Sequence, residues 1–220
     1  MTESFGGDKK VGISILGPTE QKFIRWAAPK VPSWLRSHHL TLATIPICLG
    51  IIASGYLART DERWLLVSAG LIFIQWMTDS LDGSVGRLRH EGLVRWGYYM
   101  DHLLDYAFLF SILTGYMLLL PAEFVRVQFL VLGIFAGFMV SSFLAFGASN
   151  QFRISHLGIG PTEIRIVFIV INILLVIYGK TNLRWSLPYV LGVAFIGLLI
   201  VVYRTQRGLW DHDQQNKTLR

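Results

Sequence analysis

Apolar residues in this chain collect into six long runs, at about Leu40–Ala58, Trp64–Asp79, Gly97–Leu120, Phe124–Phe146, Thr162–Tyr178 and Trp185–Tyr203. Each approaches the ~20 residues that a helix needs to cross a bilayer. Connections between them are short, so a single membrane domain is expected over residues 37–210. The second run is the shortest, but its end is polar, and the helix is expected to continue to Asp82 where protein rather than lipid surrounds it. Ahead of the first run, residues 17–36 mix Phe23, Ile24, Trp26, Ala27 and Trp34 with Lys22, Arg25, Lys30 and Arg36. That mixture suits an amphipathic helix lying at the membrane interface, and it equally suits a cytoplasmic helix packed on the bundle. Residues 1–16 and the tail 211–220 are polar without a sustained period and are expected to be flexible. The pattern predicts an all-α integral membrane protein with six transmembrane helices and an N-terminal interfacial helix.

Composition agrees with the pattern. The 220 residues are 53% hydrophobic and 15% charged, and the mean hydropathy is +0.49, more apolar and less charged than a soluble domain. Residues 1–39 lack the short apolar core of a cleavable signal peptide. The single cysteine, Cys48, falls in the first apolar run, so no intrachain disulfide can form and the redox compartment is left open.

Charge adds orientation. Lys22, Arg25, Lys30, Arg36, Arg87, Arg89, Arg95, Arg153, Arg204, Arg207 and Lys217 fall on one side of the six spans. Arg59, Arg63, Lys180 and Arg184 fall on the other, partly offset by Asp61 and Glu62. Basic residues mark the cytoplasmic side of short loops, so both termini are expected there. These cations are scattered at membrane edges with no aromatic-interleaved soluble domain, which excludes a nucleic-acid partner.

The candidate chemistry lies in Asp79-Ser-Leu-Asp82-Gly83-Ser-Val-Gly86-Arg87 and Gly97-Tyr-Tyr-Met-Asp101-His-Leu-Leu-Asp105. The first pair of acids is spaced i,i+3 and the second i,i+4, so each projects from one helix face. At 1.5 Å per residue Asp105 lies roughly 12 Å beyond Gly97, in a helix that then runs apolar. Ionisable groups at that depth carry a functional hypothesis by default, and a carboxylate there needs a cation. Facing pairs of carboxylates suit Mg²⁺ or Mn²⁺, which take oxygen donors and share them with substrate phosphates. Gly83 and Gly86 would let a phosphate approach the backbone, and Arg87 can fork onto its oxygens. Acids, glycines and arginine together indicate a diphosphate ligand.

These residues resemble the signature of the CDP-alcohol phosphotransferase family, Asp-x-x-Asp-Gly-x-x-Ala-Arg, eight or nine residues, then Gly-x-x-x-Asp-x-x-x-Asp. Asp79, Asp82, Gly83, Arg87, Gly97, Asp101 and Asp105 occupy motif positions, and Gly86 replaces the usual Ala. The resemblance implies transfer of a phospho-alcohol group from a CDP-linked donor to an alcohol acceptor, with release of CMP. It implies divalent metal, Mg²⁺ or Mn²⁺, held by Asp79, Asp82, Asp101 and Asp105, with Arg87 and the glycines at the CDP diphosphate. It also implies six spans, a lipid or small-alcohol acceptor and a homodimer; the loop charges put the aspartates on the cytoplasmic side with the termini. Asp105, deepest in its helix, is the candidate general base, and His102, adjacent to Asp101 and about 100° round the helix from it, is a rival. Where family members carry Pro-Asn-x-x-Thr, this chain reads Ser37-His38-His39-Leu40-Thr41. His38 thus becomes a candidate nucleotide contact.

Donor choice is open between CDP-diacylglycerol with a small polar alcohol and a CDP-amino-alcohol with diacylglycerol. Arg153 and Arg165 could meet a phosphate-bearing acceptor. Gly160-Pro-Thr-Glu163 and Asp101-His102 resemble segments of choline and ethanolamine phosphotransferases, with Glu163 available to a cationic headgroup, and tilt the balance slightly to the second class. The tetrapeptide Gly-Pro-Thr-Glu also occurs at residues 17–20. Pro and an early acid start helices well, so the repeat needs no duplicated fold. Two other classes fit membrane acids: a cation transporter, which leaves Gly83, Gly86 and Arg87 unexplained, and a silent scaffold, which leaves the full set of aspartates unexplained.

Overall fold

The computed structural model describes residues 9–11, 15–149, 151–153 and 160–218. Six helices among them are long and apolar enough to cross a membrane, and the chain is a multi-pass membrane protein. The first span is built from α2 (Ser37–Leu42) and α3 (Thr44–Leu57). Pro46 lacks an amide to give to the Leu42 carbonyl, and the helix breaks just ahead of it, at Ala43. The others are α4 (Trp64–Leu88), α5 (Val94–Leu119), α6 (Ala122–Ser149), α7 (Pro161–Tyr178) and α8 (Thr181–Thr218). Helix α4 carries the whole first half of the aspartate motif, beyond the expected end at Asp82. Helix α8 continues through most of the segment that reads as a loose polar tail.

Ahead of the spans, α1 (Gly17–Ala27) runs into a 3₁₀ turn at Ala28–Lys30. Pro29 and Pro32 end the helix well before Arg36. The architecture is all-α with one addition, a parallel pairing of β1 (Lys9–Val11) with β2 (Gln151–Arg153).

The helices that pack closely are α3 on α4 and α5, and α4 on α7, while α6 packs chiefly on α8. On α4, residues Leu65, Ser68, Ile72, Gln75, Asp79 and Asp82 recur at alternating spacings of three and four, and all but Asp79 are buried. On α5 the same alternation runs through Asp101, Asp105, Phe108, Ile112, Gly115 and Leu119. Such a repeat keeps one stripe on the partner helix for the full length of the span. Both stripes are apolar at one end and acidic at the other. The core of Ile51, Leu65, Ile72, Ile112 and Val131 therefore leads directly to the aspartates. At the other end α3 and α5 touch backbone to backbone: a Cβ added to Gly55 would sit 2.6 Å from Gly115 Cα.

Candidate active site

Asp79, Asp101 and Asp105 converge from α4 and α5 so that each offers a carboxylate oxygen within 4.8 Å of the other two. All three are half-buried. Three anionic oxygen donors at that spacing suit a hard divalent cation. Asp82, one turn beyond Asp79, is buried and accepts a hydrogen bond from the Thr41 hydroxyl at 2.6 Å. Thr41 fills the last position of the Pro-Asn-x-x-Thr pattern, and this bond ties α2 to the acidic end of α4.

The cation facing the cluster in the protein itself is Arg165. It projects from the first turns of α7 and is 5% exposed. One terminal nitrogen, Nη2, donates to Asp79 at 2.9 Å and to Asp105 at 3.0 Å, while Nε donates to Gln75 Oε1 at 2.8 Å. The guanidinium also stands 5.5 Å from the centre of the Phe108 ring. Gln75 in turn lies 3.5 Å from the other oxygen of Asp79. Charge-assisted bonds of this kind are shorter and stronger than neutral ones. They fix the rotamers of two of the three carboxylates. The sequence offered Arg165 as a contact for the acceptor; the structure places it among the acids.

Arg87 is exposed and donates to Ser84 at 3.0 Å. Its guanidinium lies 3.3 Å from where a Cβ on Gly83 would stand, so the glycine leaves room for the arginine to lie back along α4. Gly86 meets α2 instead: an added Cβ would be 3.2 Å from Ser37 Cβ. That crowding is a packing reason for the smallest residue where Ala is usual. His38 lies at the start of α2, its ring 4.1 Å from that of His39 and 6.4 Å from that of Trp96. The ring of His102 packs on Tyr98 and Phe143, and its Nδ1 lies 2.7 Å from the Tyr98 carbonyl. Because a carbonyl only accepts, that nitrogen carries the proton.

Glu163 serves its own helix and a neighbour. One oxygen accepts the Gly160 amide at 2.9 Å, closing a capping box, and the other accepts the Leu16 amide at 2.8 Å. Of Arg153 the backbone alone is described, in β2, and its side chain lies outside the described residues.

The turn after α4 is tied to the N-terminal segment. Arg89 donates to the carbonyls of Val31 and Leu35 at 2.6 and 2.7 Å. Glu91 accepts from the Ser37 hydroxyl at 2.7 Å and from its amide at 3.1 Å. The hydroxyl, with smaller help from the amide, His38 and Arg89, holds the Glu91 carboxyl below its ordinary value despite an opposing effect of burial.

Sequence reasoning did not single out Gln75 or Ser80, and read Glu20 and Thr162 only as parts of the helix-starting Gly-Pro-Thr-Glu repeat; all four bond to the site or beside it. Gln75 could have been found. It sits four residues before Asp79 on a helix that up to that point is apolar apart from the small Ser68, where a polar side chain requires a partner.

A family model described as CDP-alcohol phosphatidyltransferase matches residues 34–203. No curated protein and no solved structure matches the chain. The matched segment runs from just ahead of α2 into α8, and so takes in all four aspartates, Arg165 and the core of every span. With the acidic ends of α4 and α5 meeting as that signature requires, the chain belongs to the CDP-alcohol phosphatidyltransferase family.

Proposed function

We propose that the protein transfers a phospho-alcohol group from a CDP-linked donor to an alcohol acceptor in lipid synthesis and releases CMP, with the reaction centred on the carboxylates of α4 and α5. The observation that carries this reading is the convergence of Asp79, Asp101 and Asp105 within 4.8 Å, in a chain whose family performs that class of transfer.

Asp79, Asp101 and Asp105 would hold a divalent ion, Mg²⁺ or Mn²⁺, with Asp82 joining from its bond to Thr41. Such an ion, when bound, neutralises charge on the diphosphate and on the leaving CMP oxygen. The protein's own residues do the rest. Arg165 and Gln75 keep Asp79 and Asp105 oriented, so little reorganisation is needed when substrate arrives. Gly83 keeps the exposed face of α4 open beside Arg87, whose guanidinium reaches the diphosphate oxygens once it leaves Ser84. Asp105 receives the proton of the acceptor hydroxyl as that oxygen bonds to phosphorus and the bond to CMP breaks. The proton would go to the Asp105 oxygen that Arg165 does not hold, since Arg165 donates to Oδ1. The rival His102 holds its Nδ1 proton on the Tyr98 carbonyl and packs its ring on Tyr98 and Phe143, so Asp105, one of the three converging carboxylates, is ranked ahead of it.

The charge pattern of the loops supports a cytoplasmic site and cytoplasmic termini, and α1 is read as lying at the membrane interface. A homodimer is carried over from the family resemblance. Glu163 is engaged by two backbone amides, which weakens its role as a headgroup contact and with it the tilt toward a CDP-amino-alcohol. The assay therefore has two arms: CMP release by the purified protein in detergent with Mg²⁺ or Mn²⁺, from CDP-diacylglycerol with small alcohols and from CDP-choline or CDP-ethanolamine with diacylglycerol. One donor class should release CMP, and Asp105→Asn should lose more than the ~100-fold that removal of a supporting partner costs. No metal-dependent release from any pair by folded protein would overturn the reading. Cation uptake into proteoliposomes would then point to a transporter, and its absence to a scaffold.

A further inference from the structure

The two copies of Gly-Pro-Thr-Glu meet. Glu20 of the first copy accepts the Thr162 hydroxyl of the second at 2.8 Å and, with its other oxygen, the Ser80 hydroxyl of α4 at 2.9 Å. Glu163 of the second copy accepts the amide of Leu16, the residue just ahead of the first. Identical tetrapeptides thus make reciprocal bonds with different chemistry. The reason is register. Helix α7 begins at Pro161, so Glu163 falls at its third position and closes a capping box; α1 begins at Gly17, so Glu20 falls at the fourth and has no capping duty. Glu163 covers the amides ahead of both helices, and Glu20 is left to reach across.

The places it reaches adjoin the site. Ser80 follows Asp79 directly, and Thr162, 7% exposed, stands one turn before Arg165. Phe23 of α1 stacks on Trp76 of α4 with ring centres 5.1 Å apart, and Ile24 and Ala28 are buried. Helix α1 therefore lies along the flank of α4 between Trp76 and Ser80.

We propose that Glu20 is a positioning residue. By tying α1 to Ser80 of α4 and Thr162 of α7, it fixes the helix ends that carry Asp79 and Arg165 and makes α1 a fixed wall of the site. The kinetic part of this proposal rests on the reading above; the clasp itself does not. Charge-assisted O–H to carboxylate bonds are strong, and loss of a partner that orients a metal ligand costs on the order of 10–100-fold in metal affinity or activity.

The test uses the full chain in detergent, with hydrogen exchange of the α1 amides, Mn²⁺ binding and CMP release measured on Glu20→Ala, Glu20→Gln, Ser80→Ala and Thr162→Val. Glu20→Ala should deprotect α1 while α3 to α5 stay protected, and should weaken Mn²⁺ binding and turnover about 10–100-fold. Glu20→Gln should restore most of both, because hydroxyls accept from an amide as readily as they donate to one. Ser80→Ala and Thr162→Val should each lose part, and they serve if Glu20→Ala fails to fold. Unchanged α1 protection in Glu20→Ala would overturn the clasp. Released α1 with unchanged Mn²⁺ binding would overturn the positioning role. Wild-type protein that neither binds Mn²⁺ nor releases CMP would overturn the functional reading and the positioning role together, while amide exchange would still decide the clasp.

Discussion

Helices α3, α4, α5 and α7 differ from α6 and α8 in what surrounds them. In the most apolar window of the first span, which holds α3, and of α5, 44% of residues are buried by other parts of the protein, against 6% for α6 and 11% for α8. Yet α6 and α8 are the more hydrophobic windows. Lipid tails accept apolar side chains as readily as a protein core does, so hydrophobicity alone gives α6 and α8 no reason to be covered. What draws the other four together is polar and small: Gln75, Asp79, Asp105 and Arg165 bond across helices, and Gly55 meets Gly115. The best-packed part of the molecule is therefore the part that must hold carboxylates still.

The strongest way to break that relation is to remove its central cation. Arg165→Gln keeps a hydrogen-bonding side chain but removes the guanidinium that Asp79 and Asp105 share. Breaking a buried pair from one side costs about 3–5 kcal/mol. The variant should melt well below wild type in EDTA and regain much of the loss on addition of Mn²⁺, since a divalent ion can take over the neutralising role. Wild type should respond to Mn²⁺ less. An equal shift in both proteins would mean that the ion does not share the carboxylates with Arg165. The equivalent change on the lipid-facing side has no counterpart, because no buried ion pair is present on α6 or α8 among the described residues.

How much of this was legible follows from the range over which each feature is specified. The six spans and the meeting of the two acidic faces were readable because helical period and hydropathy act over one turn to one span. Asp79, Asp101 and Asp105 were named for the same reason. The partners were not. Nothing local marks Gln75 as the bond to Arg165, ninety residues away, or Glu20 as the bond to Thr162. Those choices depend on α7 packing antiparallel to α4, which hydropathy does not encode. Ser37, which an added Cβ on Gly86 would meet, was equally unmarked, for the same lack of long-range register. The end of α8 was missed on other grounds: a polar segment with no apolar face gives no periodic signal, although a helix already formed needs none to continue.

A sharper, smaller contrast uses glycine against glycine. Gly55→Ala pushes a Cβ to 2.6 Å from the Gly115 backbone, which cannot move aside as a side chain would, so overpacking should cost about 1–3 kcal/mol. Gly133→Ala on α6 meets nothing within 4 Å. It should be neutral or gain up to ~1 kcal/mol from helix propensity. Thermal melts of the two variants, side by side in the same detergent, check the difference. Equal losses would mean that α6 is covered in solution, and would locate a partner on the face assigned here to lipid.

The smallest effect belongs to the rim of the site, where water rather than lipid or protein sets the energetics. Glu91 accepts both the hydroxyl and the amide of Ser37, and those bonds keep its carboxyl ionised to lower pH than in the unfolded chain, where 4.5 is the ordinary value. A carboxyl depressed on folding adds stability that is present in full above the unfolded value and is lost as pH falls through the folded one. Because the group is largely solvated, the contribution should stay within ~1 kcal/mol. Glu91→Gln should therefore melt slightly below wild type at pH 7, and the gap should close as pH falls below 4.5. A gap that persisted at acid pH would assign the loss to the shape of the turn between α4 and α5 rather than to the charge. Since that turn is what places Gly97 and the start of α5, the two outcomes separate an electrostatic tie at the edge of the site from a packing tie that continues the interior bundle.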